Sequence, residues 1–352
     1  MPKYGTLDLG LQKSPWEFPG NATNVGKNPL VWWTAFAAVV ETNSNFIKTQ
    51  YMAVHLAQRT LDAINSSLEK DQGAAYRVFL GQVIPHMGDA YRGEEKNPYR
   101  SHMGASGIGK DCARAIWYSF RWFTKPQFGG RILRLFNRGH LEEARFIALL
   151  LSIGVKVYQQ DENGKQFRIS DAGGHFGGSG DGVGLGIPDL PANMPCLLEF
   201  KTHSDKSFAK VAAEGVKSAK FEHFVQMNMY MRKMNLNIAL YGAVNKNNDE
   251  LYLELVPLDT ITADQFLDRG RQLVFMATPP KKLSESPGWF ECKFCDHRSV
   301  CHLKKDPEVN CRTCFFSRPD ENGTWSCSNP VGLAGKLSTE QQLAGCASYL
   351  KI

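Results

Sequence analysis

The middle third of the chain alternates between the apolar spacing of helices and that of strands. Apolar residues recur at helical intervals from Arg131 onward, and Gly154 predicts where this helix ends. Two pairs of strand-length runs follow: VKVYQQ and KQFRIS flank Asn163-Gly164, and IALYGAVNK and ELYLELVPL flank Asn247-Asn248. Between the pairs lie a glycine-rich strand, HFGGSGDGVGLG, and a short apolar strand, CLLEFKT. This order predicts an α/β fold with a mixed sheet.

Helices are predicted on both sides of this block of strands. The pattern from Leu30 to Met87 is helical, and further helices are expected from Cys112 to Phe123 and from Ala263 to Met276. The stretch SFAKVAAEGVKSAKFEHFVQMNMYMRKM is helical with a break near Gly215. We therefore divide the chain into a helical N-terminal region (1–105), an α/β core (106–275) and a short cysteine-rich region (276–352).

The composition is that of an ordinary folded protein. Hydrophobic residues make up 43% and charged residues 22% of the 352 residues, which argues against a disordered chain or a coiled coil. The best candidate for a membrane span, Leu30 to Val40, is shorter than the roughly 18–20 residues that cross a bilayer, and the N-terminus lacks the apolar stretch of a signal peptide. We expect no membrane partner and a cytoplasmic location.

The strongest chemical signal is the tripeptide Glu199-Phe200-Lys201. Side chains alternate between the faces of a strand, so Glu199 and Lys201 point to one side while Leu198 and Phe200 point to the other. A carboxylate can hold a hard divalent cation, and a nearby lysine can orient a water or offset developing charge. The pair therefore suits metal-assisted hydrolysis. A surface ion pair on an edge strand would give the same triplet. The surrounding residues therefore have to distinguish a hydrolytic site from a surface ion pair.

Other side chains in the core offer further ligands for such a cation. Asp181, among the glycines of GGSGDGV, is a candidate second metal carboxylate. Asp189 is its rival, and either could instead be a turn residue. His140 and Glu143 lie three positions apart near the start of a helix, and either could supply a third ligand.

Gln226 and Tyr230 stand four positions apart, which places them on one face of a helix. Gln226 could hold a metal-bound water or the lysine of the Glu-x-Lys strand. Tyr230 could contact a phosphate or stack on a base. The methionines around them are better explained as part of the hydrophobic core.

In their order along the chain, these motifs resemble the PD-(D/E)xK nuclease superfamily, in its RecB-type branch. The matching segments are GHLEE, GDG, EFK and QMNMY. The resemblance implies a restriction-endonuclease-like core whose mixed sheet is flanked by helices. It also implies that Asp181 and Glu199 bind Mg²⁺ or Mn²⁺ and that Lys201 is the catalytic lysine. RecB-type nucleases often place a histidine four residues after the first-motif glycine. That position holds Glu143 here, and His140 directly follows the glycine, so the first-motif ligand stays open between them.

Seven of the nine cysteines lie between Cys292 and Cys346, and clustered cysteines in a reducing compartment are more often metal ligands than disulfides. A first set combines a C-x2-C-x5-C pattern with one cysteine before the core: Cys112, Cys292, Cys295 and Cys301. It resembles the pattern of RecB-type nucleases that bind a [4Fe-4S] cluster, such as CRISPR-associated exonucleases and the AddB nuclease domain. The resemblance implies a mainly structural cluster. Zinc at the same thiolates is the alternative.

The remaining C-terminal cysteines form a second set of four: Cys311, Cys314, Cys327 and Cys346. Their spacing predicts a structural zinc site with tetrahedral thiolates. His302, next to Cys301, could replace one cysteine in either set. Cys196 is left over and is expected to be a small buried core residue.

The formal charge is only mildly basic, +6 from 41 Lys and Arg against 35 Asp and Glu. Basic residues nevertheless concentrate around the first motif and after the Glu-x-Lys strand: Lys125, Arg131, Arg134, Arg138, Arg145, Lys206, Lys210, Lys217 and Lys220. They could follow a phosphate backbone or simply form solvated helix faces. No base-reading motif is present, so little sequence preference is expected.

These observations predict a metal-dependent DNA exonuclease that hydrolyses phosphodiester bonds at linear ends. By resemblance, such an enzyme would act in the cytoplasm of a bacterium or a phage-infected host. It would process DNA ends in phage-type recombination or repair, with a single-strand annealing protein as a partner. Two alternatives stay open. One is a site-specific endonuclease on the same core, and the other is a non-catalytic DNA-binding module held together by metals.

Overall fold

The structure is a computed structural model that describes residues 54–87, 98–161 and 166–352. The predicted turn at Asn163-Gly164 and the part of the predicted helical pattern before residue 54 lie outside the described residues. No helix in the described part of the chain is both long and apolar enough to cross a membrane.

Helices occur before, between and after the strands of the described chain. Their bounds are α1 Gln58–Asp71, α2 Ala74–Val83, α3 Ala113–Phe120, α4 Gly130–Ser152, α5 Asp205–Ala219, α6 Phe221–Met234, α7 Thr260–Phe275, α8 Phe290–Lys293, α9 Arg298–His302 and α10 Thr339–Ala344.

The strands are short except in the middle of the chain. Their bounds are β1 His55–Leu56, β2 Met103–Gly104, β3 Lys156–Tyr158, β4 Arg168–Asp171, β5 Phe176–Ser179, β6 Gly182–Leu185, β7 Cys196–His203, β8 Ile238–Asn245, β9 Leu251–Pro257, β10 Ser317–Pro319, β11 Trp325–Cys327 and β12 Gly335–Leu337.

The largest sheet has the strand order β1-β9-β8-β7-β6-β3. Its central pair, β7 and β8, is parallel and places Glu199 opposite Tyr241, whereas the other neighbours are antiparallel. Helix α4 packs on one face of this sheet, and α5 and α6 pack on the other. The predicted α/β class, with a mixed sheet flanked by helices, is confirmed. Two three-stranded sheets have the orders β2-β5-β4 and β10-β11-β12.

The chain folds into two compact units, each assembled from separated stretches. The sheet unit contains the described residues of Met1–Gly93, Gly130–Ile169 and Ser179–Thr260. The cysteine unit contains the described residues of Glu94–Gly129, Ser170–Gly178 and Ile261–Ile352.

The core of the sheet unit lies where α4 packs on β7. Leu198 and Phe200 are buried on this side of β7, as the alternation predicts. Phe146 of α4 stacks on Phe200 with 4.7 Å between ring centroids. Gly242, opposite Phe200 on β8, leaves room for both rings, because a β-carbon there would lie 2.9 Å from Phe200 and 3.1 Å from Phe146. Burying each such ring stabilises the fold by about 1.5–3 kcal/mol.

Most elements predicted from the pattern are present. The long helix is α4, and Gly154 follows it with a φ of 84° that suits glycine. The break at Gly215 is confirmed, since φ 73° and ψ 166° interrupt α5 there. Strands β8 and β9 form the antiparallel hairpin expected around Asn247-Asn248. The helices expected to begin at Cys112 and Ala263 are α3 and α7.

Two strand predictions are wrong in detail. The glycine-rich segment is not one strand but two, β5 and β6, which join different sheets. The pairing of β6 with β7 begins at Gly182. One residue earlier, the Asp181 side chain accepts a hydrogen bond from the backbone N–H of Phe200. Likewise β3 and β4 join different sheets instead of forming a full hairpin. An isolated bridge between Gln160 and Gln166 links their flanks.

The packing around Gly242 gives a testable prediction about stability. Gly242→Ala is expected to lower the free energy of unfolding by about 1–3 kcal/mol, because the new methyl group would overpack two stacked rings. Gly81→Ala, on the exposed side of α2 with nothing within 4 Å of the added β-carbon, should instead stabilise by about 0.5–1 kcal/mol. Urea unfolding of both variants measures the difference. Equal stabilities would contradict the packing described here.

Candidate active site

The centre of the candidate site is the Glu199–Lys201 pair on β7. Both side chains lie on the face of the strand opposite Leu198 and Phe200, as predicted. Glu199 is fully buried, and about a quarter of the Lys201 side chain (26%) is exposed. The Lys201 ammonium donates a hydrogen bond to Glu199 Oε1. The pair therefore sits inside a central strand of the sheet, unlike a surface ion pair on an edge strand.

Asp181 reaches the same place from the start of β6. Its Oδ2 accepts a hydrogen bond of 2.7 Å from the backbone N–H of Phe200, between the two charged residues of β7. Its charge acts on both Glu199 and Lys201. The first candidate for the second carboxylate is thus beside the Glu-x-Lys pair.

Burial and mutual repulsion set the ionisation of this cluster. Burial raises the pKa of Glu199 to about 7, and the neighbouring Asp181 adds to the rise although Lys201 and Gln226 oppose it. Burial also raises the pKa of Asp181, against the effects of Lys201 and the Phe200 N–H. Burial disfavours the charge of Lys201, but the two carboxylates outweigh it and raise the pKa of Lys201. The site therefore holds more negative charge than its protein groups can stabilise.

Helix α4 brings both first-motif candidates to this cluster. The charge of His140 acts on Asp181, and the charge of Glu143 acts on Lys201. His140 Nδ1 is buried and has no hydrogen-bond partner among the described residues. Both residues are thus near enough to act electrostatically on the cluster, and the choice of first-motif ligand stays open between them.

Helix α6 supplies Gln226 and Tyr230. Gln226 is 5% exposed and interacts with the Glu199 carboxylate. Tyr230 is buried beside Gly180, where an added β-carbon would lie 3.8 Å from its ring. These positions let Gln226 fix the carboxylate and let Tyr230 support the turn that presents Asp181. Met227, between them, is fully buried in the core, as expected.

Asp189, the rival carboxylate, has a different role. Its oxygens accept hydrogen bonds from the backbone N–H groups of Arg59 and Thr60 at 3.1 and 2.7 Å, and from the Thr60 hydroxyl at 2.6 Å. Asp189 thus caps the first turn of α1, where the N–H groups lack partners within the helix.

Sequence reasoning missed three polar residues on the Glu199 face of the sheet. Tyr241 Oη lies 2.8 Å from His203 Nε2 and 2.9 Å from His223 Nδ1, and His203 Nδ1 lies 2.9 Å from Ser207 Oγ. Burial, followed by nearby lysine charges, lowers the pKa of His203 to about 4 and of His223 to about 3. Both imidazoles are neutral at neutral pH and add no charge beside Lys201. The signal was available, since His203 follows Glu199 by four strand positions.

The donor set fits a hard divalent cation. Glu199 Oε2 is buried without a hydrogen-bond partner in the described part of the chain, although the other oxygen of this carboxylate is paired. A cation would compensate both this oxygen and the raised carboxylate pKa values. Across residues 54–87, 98–161 and 166–352, no three or more His, Cys, Asp or Glu side chains are already arranged to hold a metal. The side chains would therefore have to close around an ion.

The cysteine unit contains both cysteine sets. The thiols of Cys292 and Cys295 are each influenced by the charges of Cys112 and Cys301, so the first set is gathered in one place. Burial, then the charges of Cys346, Cys314 and Cys327, raises the pKa of Cys311 to about 11, so the second set is gathered as well. Cys196 is fully buried in the sheet unit, as expected of a core residue.

Three exposed arginines follow one face of α4 ahead of the candidate site. Arg131, Arg134 and Arg138 are spaced three and four residues apart, and the helix continues into His140. Arg138 also donates a hydrogen bond of 2.9 Å to the carbonyl oxygen of Lys246. Several other basic residues form ion pairs within the protein. Arg145 pairs with Glu142, Lys210 with Glu214 and Lys217 with Asp259.

Comparisons with known proteins give little beyond this geometry. No family model and no curated protein matches the sequence. Structural similarity is found to the crystal structure of SSO0001, with 14% identity and a TM-score of 0.33 over 65% of this chain and 97% of that one. It is also found to an alkaline exonuclease, LHK-Exo, from Laribacter hongkongensis, with 13% identity and a TM-score of 0.36 over 49% of this chain and 86% of that one. The complex of LHK-Exo with dAMP matches with 14% identity and a TM-score of 0.35 over the same shares. With TM-scores this low, the function has to be argued from the site.

The ionisation of Glu199 predicts how the metal-free protein responds to pH. Its pKa is raised above the ordinary value of 4.5, so the folded state binds the proton more tightly and stability falls as pH rises toward about 7. Glu199→Gln removes that loss and should stabilise the EDTA-treated protein at about pH 8 by at most about 3 kcal/mol. The gain should shrink near about pH 5.

Thermal unfolding at the two pH values measures this effect. Glu69→Gln, a change of the same kind on the exposed face of α1, is the matched control and should change little. A Glu199→Gln variant that is less stable than wild type at both pH values would contradict the buried, under-compensated carboxylate.

Proposed function

We propose that this chain is a metal-dependent DNA exonuclease of the RecB-type branch of the PD-(D/E)xK superfamily. The proposal rests on one observation: Asp181, Glu199 and Lys201 lie close together in the interior of the sheet unit. One oxygen of the Glu199 carboxylate has no hydrogen-bond partner among the described residues. Such a carboxylate costs stability unless a ligand compensates it. A catalytic divalent cation is the ligand that this donor set and the motif order favour.

Each side chain of the site has a distinct role in the proposed hydrolysis. Bound Mg²⁺ or Mn²⁺ would lower the pKa of a water and offset charge on the phosphate. Asp181 and Glu199 would hold the ion, with His140 or Glu143 adding a ligand. Lys201, fixed by its hydrogen bond to Glu199, would orient the attacking water and offset charge as it develops on the phosphate.

The residues of α6 act through these groups. Gln226 holds the Glu199 carboxylate in place, and Tyr230 packs beside the Gly180-Asp181 turn. Neither needs to touch the phosphate for this. We therefore assign both as positioning residues.

Charge on α4 supports DNA as the substrate. Arg131, Arg134 and Arg138 lie on one exposed face of the helix, and His140 and Glu143 follow on the same helix at the site. A phosphate backbone lying along these arginines would lead toward the metal ligands. The contacts are to the backbone and not to bases, so degradation from linear ends with little sequence preference is the expected activity.

The first test is a time course on end-labelled linear duplex DNA with Mg²⁺ or Mn²⁺. Wild type should degrade the DNA progressively, whereas EDTA, Asp181→Asn and Glu199→Gln should each reduce the rate by at least about 100-fold, the scale of losing a group that stabilises the transition state. Closed circular plasmid should remain intact.

Asp189→Asn is the matched control, because Asp189 has the same side chain as Asp181 but caps α1. It should lower stability by about 1 kcal/mol and leave the rate per folded molecule unchanged. Cutting of circular plasmid at fixed positions would favour the endonuclease alternative. Intact DNA in every lane, with binding unchanged in Glu199→Gln, would favour the non-catalytic binding module.

We also propose that the first cysteine set binds a [4Fe-4S] cluster. Cys112 and Cys301 act on the thiols of both Cys292 and Cys295, and Cys301 packs against the aromatic cluster of Trp117, Tyr118 and Phe123. Four thiolates around one place fit either an iron–sulfur cluster or zinc, and the resemblance in spacing favours the cluster.

Protein purified without air should therefore be brown, with broad absorbance in the blue that reductant bleaches. Cys295→Ser should lose this absorbance, whereas Cys196→Ser, which changes a cysteine of the sheet unit, should keep it. Colourless wild-type protein that contains zinc at this set would overturn the cluster and leave the zinc alternative. Iron and sulfide analysis of the same samples decides between them.

A further inference from the structure

The second cysteine set surrounds a small cavity in the cysteine unit. Cys311, Cys314, Cys327 and Cys346 all line it, together with Ser317. The enclosed space is about the size of one water molecule. This space suits one ion bound among the four thiols.

Two buried arginines, Arg121 and Arg312, belong to the same unit as this set. The Arg312 guanidinium donates to the Gln342 side chain and to the carbonyl oxygens of Ser101 and Phe120, all of them uncharged acceptors. Arg121 is fully buried and Arg312 is 4% exposed, and among the described residues neither has a carboxylate within ion-pair distance. Arg312 stands between Cys311 and Cys314 in the chain, and a thiolate at Cys314 acts on Arg121. Two buried positive charges without counter-ions are costly.

Aromatic rings hold both guanidinium groups in place. The Cζ of Arg121 is 5.1 Å from the ring centroids of Trp117 and Trp325. The Cζ of Arg312 is 3.8 Å from the centroid of Trp122 and 4.6 Å from that of Trp325. Cation–π contacts offset part of the burial cost, but they provide no negative charge.

Hydrogen-bond donors in the same region are also unused. Arg121 Nη1 donates to the carbonyl oxygens of Arg312 and Ser317, but Arg121 Nε and Nη2 have no partner in the described part of the chain. The Ser317 hydroxyl and the Trp325 indole N–H are likewise buried without partners there. Ser317 lines the cavity of the second cysteine set, and Trp325 lies two residues before Cys327 in the chain. These buried donors lack an acceptor in the described part of the chain.

We propose that the second cysteine set binds one zinc-like divalent ion as a tetrathiolate, and that Arg121 and Arg312 are its buried counter-charges. A divalent ion with four thiolates carries two negative charges, and the two guanidinium groups carry two positive charges. The thiolate sulfurs also supply the acceptors that Arg121 and Trp325 lack, as outer hydrogen-bond donors do at metal sites.

This charge balance explains why two arginines are buried among aromatic side chains. Without the ion, four neutral thiols leave both arginines uncompensated. With the ion, the centre and the arginines form a neutral group whose opposite charges attract at short range in a medium of low dielectric constant. The four thiols would have to move together around the ion, since no ready-made ligand group is present in the described residues.

The test uses the full-length chain. Wild type grown with zinc should retain one zinc ion that survives gel filtration, and Cys314→Ser should lose it. Exchange for Co²⁺ should give the visible bands of tetrahedral cobalt and a sulfur-to-cobalt charge-transfer band. Wild type with no divalent metal and four freely alkylated thiols would overturn the proposal without any variant.

Arginine variants test the counter-charge. Arg121→Gln should speed zinc transfer to a chelator at least about tenfold and move the charge-transfer band to lower energy, because the sulfurs lose a positive neighbour. Arg121→Lys should restore part of both effects. Arg271→Gln is the matched control, because Arg271 has its own carboxylate partner, Asp171, 2.8 Å away.

An unmoved sulfur-to-cobalt charge-transfer band in a folded, Co²⁺-loaded Arg121→Gln variant would overturn the role assigned to Arg121. A structural contribution alone could change stability, but it would not shift this band. Circular dichroism confirms that each variant is folded before the metal is measured.

Discussion

The sheet unit depends on one constraint, which is that a fully buried carboxylate must be tolerated in a central strand. Glu199 shares the strand with Leu198 and Phe200, whose packing against α4 contributes the favourable energy of this region. One face of β7 therefore stabilises the fold through apolar packing, and the opposite face lowers stability because it buries charge. Because β7 is fixed by packing on one side, the charged residues on the other side cannot move away from each other. The unfavourable electrostatic energy of this buried cluster is therefore a consequence of the fold.

The position of Asp181 follows from the same strand. A sheet ladder uses backbone groups, and the recorded pairing of β6 begins at Gly182, one residue after the aspartate. There the side-chain carboxylate of Asp181 takes over as acceptor for the Phe200 N–H. The end of a strand pairing and the placement of the proposed metal ligand Asp181 thus have the same structural cause. This explains why the glycine-rich segment divides into two strands, and why its glycines are needed close to the charged cluster.

Local patterns predicted the parts of this arrangement that depend on one element. The alternation of β7 placed Glu199 and Lys201 together, and helical spacing placed Gln226 near Tyr230. What the sequence could not provide were the tertiary partners. The cap formed by Asp189 on α1 joins residues about 130 positions apart, and the contact of His203 and His223 with Tyr241 needs the parallel pairing of β7 with β8. Spacing alone cannot distinguish a capping aspartate from a metal ligand, because both are short carboxylates near a turn.

Each of the two units contains buried groups whose charge is not balanced by protein partners, and the excess charge is negative in one unit and positive in the other. Around Glu199, carboxylates exceed the cations available, and one oxygen lacks a partner among the described residues. Around Arg121, guanidinium groups exceed the anions available, and several buried donors in that part of the structure lack acceptors. Folded proteins seldom leave such groups unmatched, because each costs more than an ordinary hydrogen bond contributes. In our proposals a hard cation would complete the first site and a metal–thiolate centre would complete the second, so each charge imbalance is the argument for the chemical class of the ligand.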